Sequence, residues 1–478
     1  MARDEGIKAL FEPRSVALVG SSKLRERVGM TAPWLFKSVI HNMKKYFRGK
    51  VYVIDIHGKT SRLSTVKDLP GKPDLGVLML PPPLSIKKAQ ELSEAGVKAL
   101  LGITGGYKAE EREQLLHIGR EHGVRFLGPN TILGVVNTTN GLNTMFEQDL
   151  MPMKGKISII SQSGGIGAAM IDWVCFYGIG LSKFAFTGDK IDVDDIDIIS
   201  YYGEDPDTNA MAIYMEGLRE GKEFVNAVRE VVKDKPVVAL KGGITQEAAR
   251  RALSHTASIA GVDAIYSAAF KKAGVIRVSY GIDHLFDAVL ALSKQPPMKG
   301  DRVAIISNVG GPAILAADAV YRYGLKLAKL SDETVARLAR KYPEVDATNP
   351  IDMIADAKAE RYRDVLELVL ADPNVDGVLV INMLKSCFFE PEDAEVIAEV
   401  AKKHSDKPVV DVPTGAEDYL LIQKALRQTD IPTFNLPDMA ARALNWLREY
   451  DAIRKRMNNK ERMEPRDSRK PRTSTKNS

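Results

Sequence analysis

Short β-branched, apolar runs alternate with helical stretches along almost the whole chain. That alternation restricts the fold to parallel sheets covered by helices, an α/β architecture. The first runs read SVALVG (15–20), VYVID (51–55), LGVLML (75–80), ALLGIT (99–104) and VRFLG (124–128), with segments such as IKKAQELSEAG between the later ones. They predict a Rossmann-like domain over residues 1–145, closing in the Asn/Thr/Gly-rich stretch VNTTNGLNT. A second block, 146–296, carries KISIIS, LSKFAFTG, NAMAIYM, KPVVALK and VIRVS and ends in the linker QPPMKGD. The third, 297–457, carries RVAIIS, LKLAKLS, VDGVLVIN, KPVVDVP and IPTFN and closes with a helix from about Asp438. A chain of 478 residues is too long for one ordinary core, so several domains are expected.

The second and third blocks are copies of one unit. Residues 157–184 align without gaps on 303–330, with eleven identities in 28 positions. The pairs include Ser161/Ser307, Gly164/Gly310, Gly165/Gly311, Asp172/Asp318, Gly178/Gly324 and Lys183/Lys329. Descent from one flavodoxin-like unit explains the match better than the shared grammar of strand, glycine turn and helix.

In each copy a strand ends in Ser, two residues pass, and Gly-Gly opens a helix. The first backbone N–H groups of a helix lack internal partners and sit at the positive end of its dipole. Glycine lets an anion approach them, which makes each turn a candidate phosphate site. The candidates are Ser161, Gln162, Ser163, Gly164 and Gly165 in the first turn, and Asn308, Gly310 and Gly311 in the second. Tight packing of helix on sheet also favours glycine, so one such turn alone is weak evidence. The first block has a third turn, VALVGSSKLRERVG, with only Gly20 and Gly29 of the dinucleotide pattern and a basic insertion of Lys23, Arg25 and Arg27. The insertion favours a phosphate-rich ligand, whereas Asp55 stands where an NAD enzyme places its ribose-binding acid. On these residues NAD and another nucleotide stay equally open. LPPP (80–83), TGG (104–106) and GPN (128–130) also lie at strand ends, where open α/β sheets bind ligands.

Of seven histidines, His255 is set apart by its surroundings, a long segment of small and hydroxyl residues, LKGGITQEAARRALSHTASIAG (240–261). Imidazole there can accept a phosphoryl group as a covalent intermediate. The chain has no G-x-S-x-G, H-E-x-x-H or Walker loop to compete with it. The net charge of +5 does not signal nucleic acid: residues 452–478 carry ten basic and three acidic side chains, a net +7, which leaves −2 for the body. The segment 458–478 reads as a disordered basic tail. Cys175 and Cys387 cannot supply a disulfide framework or a cysteine metal site, and no apolar run approaches membrane-helix length. A cytoplasmic protein with no resident metal, no membrane contact and no specific nucleic-acid partner is expected.

SHTASIAG (254–261), with the upstream Gly-Gly and Ala-Ala pairs, resembles the phosphohistidine motif of the NDP-forming acyl-CoA synthetases, the relatives of succinyl-CoA synthetase. The resemblance covers about residues 5–450. It is strongest to the α subunits of the archaeal ADP-forming acetyl-CoA synthetases, which run from a CoA-binding domain into two flavodoxin-like ligase domains. It implies that His255 carries the phosphoryl group, that Glu216 hydrogen-bonds its ring, and that the two glycine turns hold phosphate. It also implies that the first domain binds CoA or acyl-CoA, with Gly20, Ser21, Ser22, Lys23, Pro82, Thr104 and Asn130 near the ligand. Relatives commonly read G-P-N-C where this chain has GPNT, so Thr131 is expected to alter the acyl pocket. The family's nucleotide site is an ATP-grasp module for which this chain has no segment. A separate ATP-grasp β subunit holding ADP or ATP with Mg²⁺, in an α2β2 heterotetramer acting on a small carboxylic acid, is therefore implied. A CoA-sensing scaffold without turnover and an NAD-dependent dehydrogenase are the competing readings.

Overall fold

The computed structural model describes residues 2–23, 33–58, 60–61, 63–245, 247–248, 263–279, 281–384 and 389–463. His255, Arg25, Arg27, Gly29 and Cys387 lie outside the described residues. The first sheet contains β1 (Ser15–Gly20), β2 (Lys50–Asp55), β3 (Leu75–Leu78), β4 (Ala99–Gly102) and β5 (Arg125–Leu127) in the order β2-β1-β3-β4-β5, all parallel. Every residue of β1, β3, β4 and β5 is buried, because helices cover both faces and leave no side to water.

β6 (Val135–Asn137), β7 (Leu142–Asn143), β8 (Lys154–Ser161), β9 (Leu181–Phe186), β10 (Ala210–Met215), β11 (Val237–Lys241) and β12 (Ile276–Val278) form the second sheet. Its order is β12-β11-β10-β8-β9-β6-β7. The third sheet has β13 (Arg302–Ser307), β14 (Lys326–Leu327), β16 (Gly377–Asn382) and β17 (Val409–Pro413) in the order β14-β13-β16-β17, with β15 (Ile351–Asp352) also on β13. All three sheets share one plan: the second strand of each unit flanks the first on one side, and the third and fourth follow on the other. The order reverses beside β1, β8 and β13, and such a switch point opens a crevice at the strand ends. The glycine turns of the sequence follow these three strands.

The structure differs from the sequence reading in four places. Residues 135–143, expected to close the first domain, instead form β6 and β7, and β6 pairs antiparallel with β9. This covers a β9 edge that would otherwise expose unpaired backbone groups. In the third block LKLAKLS yields only the two-residue β14, because the edge of β13 is shared with β15. The Asn349 side chain spans the gap, accepting from Ile305 N at 3.0 Å and donating to the carbonyls of Val303 and Ala328 at 2.9 Å each. IPTFN forms a single bridge, Asp411 to Thr433, rather than a strand. The closing helix, Pro437–Met463, continues into the stretch expected to be a tail.

The cores do not follow the domain plan. One apolar cluster joins Phe11, Val39 and Leu101 of the first block to Ile198, Met211 and Phe224 of the second. Another joins Met170, Ile171 and Phe286 of the second to Ala313, Ala316 and Leu444 of the third. Lys183, inside β9, is buried and ion-paired with buried Asp205 at 2.6 Å, and Thr208 donates to the same carboxylate at 2.5 Å. Asp205→Ala strands a buried ammonium, so unfolding stability should fall by about 3–5 kcal/mol, measured by urea denaturation.

Candidate functional site

β8 carries the chain to Ser161, and Ser163 caps the helix Gly164–Phe176, its hydroxyl accepting from Ile166 N at 3.5 Å. Ser161 is buried. Its hydroxyl donates to Ser163 O at 2.8 Å and accepts from Ser163 N at 3.2 Å, closing the turn on itself. Gln162 also points inward, with every amide atom engaged. Nε2 donates to Asp195 Oδ2 at 2.7 Å and to Gly217 O at 2.9 Å, while Oε1 accepts from Glu216 N at 2.8 Å and Gly217 N at 2.9 Å. The expectation that the Ser161 and Gln162 side chains add polar groups to an anion site is therefore corrected: they build the turn and clamp it to the end of β10. Ser163 and the leading N–H groups of Gly164 and Gly165 remain for a ligand.

The second turn repeats this construction. Ser307 Oγ donates to Val309 O at 2.7 Å and accepts from Val309 N at 3.1 Å. Buried Asn308 clamps the end of β16, donating to Met383 O at 3.3 Å and accepting from Met383 N at 3.0 Å. Its predicted role as a phosphate ligand is corrected likewise. The glycines then decide between packing and ligand access. A Cβ on Gly165, Gly310 or Gly311 would meet nothing within 4 Å, and on Gly164 nothing closer than 3.5 Å. Nothing within the described residues requires glycine there for packing, which leaves close approach of a ligand to the backbone as the reason for it. Gly167, one turn further on, is the packing glycine, where a Cβ would sit 2.8 Å from Leu133.

Glu216 follows β10 directly, its backbone N–H held by Gln162. Tyr214 Oη donates to its Oε1 at 3.4 Å, and burial together with the Glu216 charge pushes that phenol up to about 12. The other carboxylate oxygen, Oε2, is buried and has no hydrogen-bond partner among the described residues. A buried acceptor without a donor is costly, and an imidazole N–H is a suitable one. Lys241, which ends neighbouring β11 at the root of the segment leading to His255, is also buried. Its ammonium lies 4.6 Å from the centre of the Tyr266 ring, and burial lowers its basicity against the opposing charges of Asp263 and Glu216. Sequence reasoning missed Lys241, Tyr214 and Asp195. A lysine ending a strand and an aspartate in the run IDVDDID give no local sign of the partners they meet.

At the edge of the first sheet, Gly20 has a packing reason to be glycine. A Cβ would fall 2.3 Å from the Phe36 ring. Asp55 is committed as well: Ser22 N and Ser22 Oγ donate to it at 3.1 and 2.6 Å, and Thr60 N at 3.1 Å. Burial opposes its ionisation, but these hydrogen bonds outweigh burial and hold the carboxyl below its usual range. Asp55 therefore shapes the turn instead of waiting for a ribose, and the Ser22 proton is spent on it. Ser21 is buried and accepts from Lys23 N at 3.2 Å, with the Lys23 side chain exposed. Pro82 is buried at the head of its helix, and Thr104 Oγ1 donates to Leu80 O at 2.6 Å. Asn130 is exposed with φ 65°, and a Cβ on Gly105 would lie 2.7 Å from its Oδ1. Thr131 is fully buried and donates to Gly102 O at 2.8 Å, so its hydroxyl faces the core and not a pocket, contrary to expectation.

The two regions are tied together. After β9 the chain docks on the end of β5 through Asp189 N to Pro129 O at 2.8 Å and Ile191 N to Gly128 O at 3.1 Å. It then delivers Lys190 and Asp195, 3.0 Å apart, to Gln162. A hydrogen-bonded path thus runs from the Gly128–Asn130 turn to Glu216. Gly20→Ala should destabilise the fold by about 1–3 kcal/mol through overpacking. Gly165→Ala and Gly311→Ala should leave stability unchanged or raise it by up to about 1 kcal/mol, since alanine favours helix. Denaturant midpoints check this contrast, and calorimetric titration of inorganic phosphate should show weaker binding in the latter two.

Three family models match the chain: a CoA binding domain over residues 14–137, a succinyl-CoA ligase like flavodoxin domain over 154–292 and a ligase-CoA domain over 303–438. The α subunit of acetate–CoA ligase (ADP-forming) II of Pyrococcus furiosus is 36% identical over 448 residues, 91% of this chain and 95% of that one. The α subunit of the isoform I enzyme of the same organism is 34% identical over 93% of this chain and 97% of its own. Among solved structures, an acetyl-coenzyme A synthetase 1 of Ca. Korarchaeum cryptofilum in complex with phosphate and ADP superposes with a TM-score of 0.84 at 29% identity, covering 95% of this chain and 99% of that one. Three matching domains in order, and relatives aligned over nearly their whole length, place the chain in the NDP-forming acyl-CoA synthetase family.

Proposed function

We propose that this chain is the α subunit of an ADP-forming acyl-CoA synthetase, interconverting acyl-CoA, ADP and phosphate with a carboxylic acid, CoA and ATP. The observation that carries the reading is the buried Oε2 of Glu216, without a partner among the described residues and clamped beside a glycine turn that packing does not explain. A carboxylate in that position fixes an imidazole tautomer and stabilises the ring as it gains positive charge. His255 is the imidazole this reading assigns to it.

Acyl-CoA binds at the strand ends of the first sheet, near Ser21, Lys23, Pro82, Thr104 and Asn130. A phosphate oxygen attacks the thioester carbonyl, the C–S bond breaks, and CoA leaves as the thiol. The acyl phosphate rests against the turns at Ser163–Gly165 and Val309–Gly311. A ring nitrogen of His255 attacks its phosphorus, the P–O bond to the acyl group breaks, and the free acid leaves. An ADP oxygen then takes the phosphoryl group from the imidazole. The α-subunit names of the two Pyrococcus relatives support a separate β subunit. In this reading it is an ATP-grasp protein holding ADP and Mg²⁺, joined in a cytoplasmic α2β2 assembly. The commitment of both Asp55 oxygens to Ser22 and Thr60 speaks against a nicotinamide dinucleotide.

His255→Asn should abolish acid-labile, base-stable phosphate on the chain after incubation with acetyl-CoA and labelled phosphate, and normal labelling would sink the assignment. Glu216→Gln should lower kcat about 100-fold with little change in KM for acyl-CoA, because it weakens stabilisation of the charged ring and not substrate binding.

A further inference from the structure

A cavity of about 260 Å³ lies between the second and third blocks, outside the residues given a role above. Trp173, Phe286, Leu290, Tyr419, Phe434 and Met439 supply its apolar wall. Trp173 sits near the end of the helix Gly164–Phe176, about 15 Å from the glycine turn that starts it at 1.5 Å per residue. Two cations line the cavity, Lys294 and Arg427, and neither forms an ion pair among the described residues. Lys294 Nζ donates to Thr429 O at 2.8 Å. Among the described residues the Arg427 guanidinium, pressed against Gly178, reaches only Gln423 Oε1 at 3.4 Å and Met153 Sδ at 3.7 Å, and its buried Nε has no partner. Two carboxylates also reach the cavity. Asp287 is taken by Arg442 at 2.8 Å, and Asp283 is half exposed and lies 3.8 Å from His284.

A guanidinium cannot shed its proton, so a buried N–H left without an acceptor is a standing cost that an anionic ligand removes. An aromatic wall with a few convergent donors is the general design of a small-molecule pocket. We propose that this cavity binds a monocarboxylic acid with an aromatic body, its carboxylate on Arg427 and Lys294 and its ring among Trp173, Phe286 and Tyr419. Acetate has no body to fill the apolar part and binds far more weakly. The wall comes from both repeated blocks, so an occupant favours one orientation of the two glycine turns relative to each other. The pocket is thus an effector site for organic acids, separate from the place where acids react.

The test uses the full chain and phenylacetate, followed by Trp173 fluorescence and by calorimetry, with acetate as comparison. Phenylacetate should bind at least tenfold more tightly than acetate. Arg427→Met should weaken it at least tenfold, and Trp173→Phe should remove the fluorescence change. Leu290→Trp, which fills the cavity while keeping both cations, should abolish binding even if Arg427→Met fails to fold. His255→Asn should bind phenylacetate as the parent chain does. Absence of phenylacetate binding, or binding unchanged in both Arg427→Met and Leu290→Trp, overturns the proposal.

Discussion

The four hydrogen bonds of the Gln162 side chain hold the candidate site together. They lock the end of β8 to the end of β10, so that Glu216 stands beside the glycine turn with one carboxylate oxygen unpartnered among the described residues. A fully satisfied amide is a rigid brace in a buried setting, where any one missing partner would carry the full cost of desolvation. Through Asp195 and Lys190 the same brace reaches the loop docked on the first sheet. Movement of the first domain therefore bears directly on the turn.

The duplicated unit uses this device twice. Asn308, one methylene shorter than Gln162, clamps the backbone of Met383, and the residue it holds is apolar where the first copy presents a carboxylate. Both copies keep the serine that closes the turn and the pair of glycines after it. Duplication thus supplies two helix N-termini of the same build, and the backbone clamp holds Glu216 in the first copy and Met383 in the second. The two helices that start at these turns contribute to one apolar core, which couples the copies mechanically.

Much of this was legible in the primary structure. The strands of the first sheet lie within a few residues of their predicted positions, because a parallel sheet buried on both faces needs unbroken apolar runs. The two glycine pairs open helices after β8 and β13, as the repeat predicts. Other readings failed for a common reason. Asp55 looked like a ribose acid until Ser22 and Thr60 claimed it, Gln162 and Asn308 looked like ligands until their partners 33–75 residues away appeared, and VNTTNGLNT looked like an exit loop until β9 needed a neighbour.

The amino-acid order by itself determined the kinds of element, their succession, the repeat and the positions where the backbone N–H groups of a helix would be left open. These follow from periodicity and from glycine, which act over a few residues. Only the tertiary structure decided which glycines make room for a neighbouring ring, as Gly20 does for Phe36, and which have no such neighbour among the described residues, as Gly165 and Gly311. It also decided which polar side chains turn inward. Those choices depend on groups brought together from distant parts of the chain, and no local pattern records them.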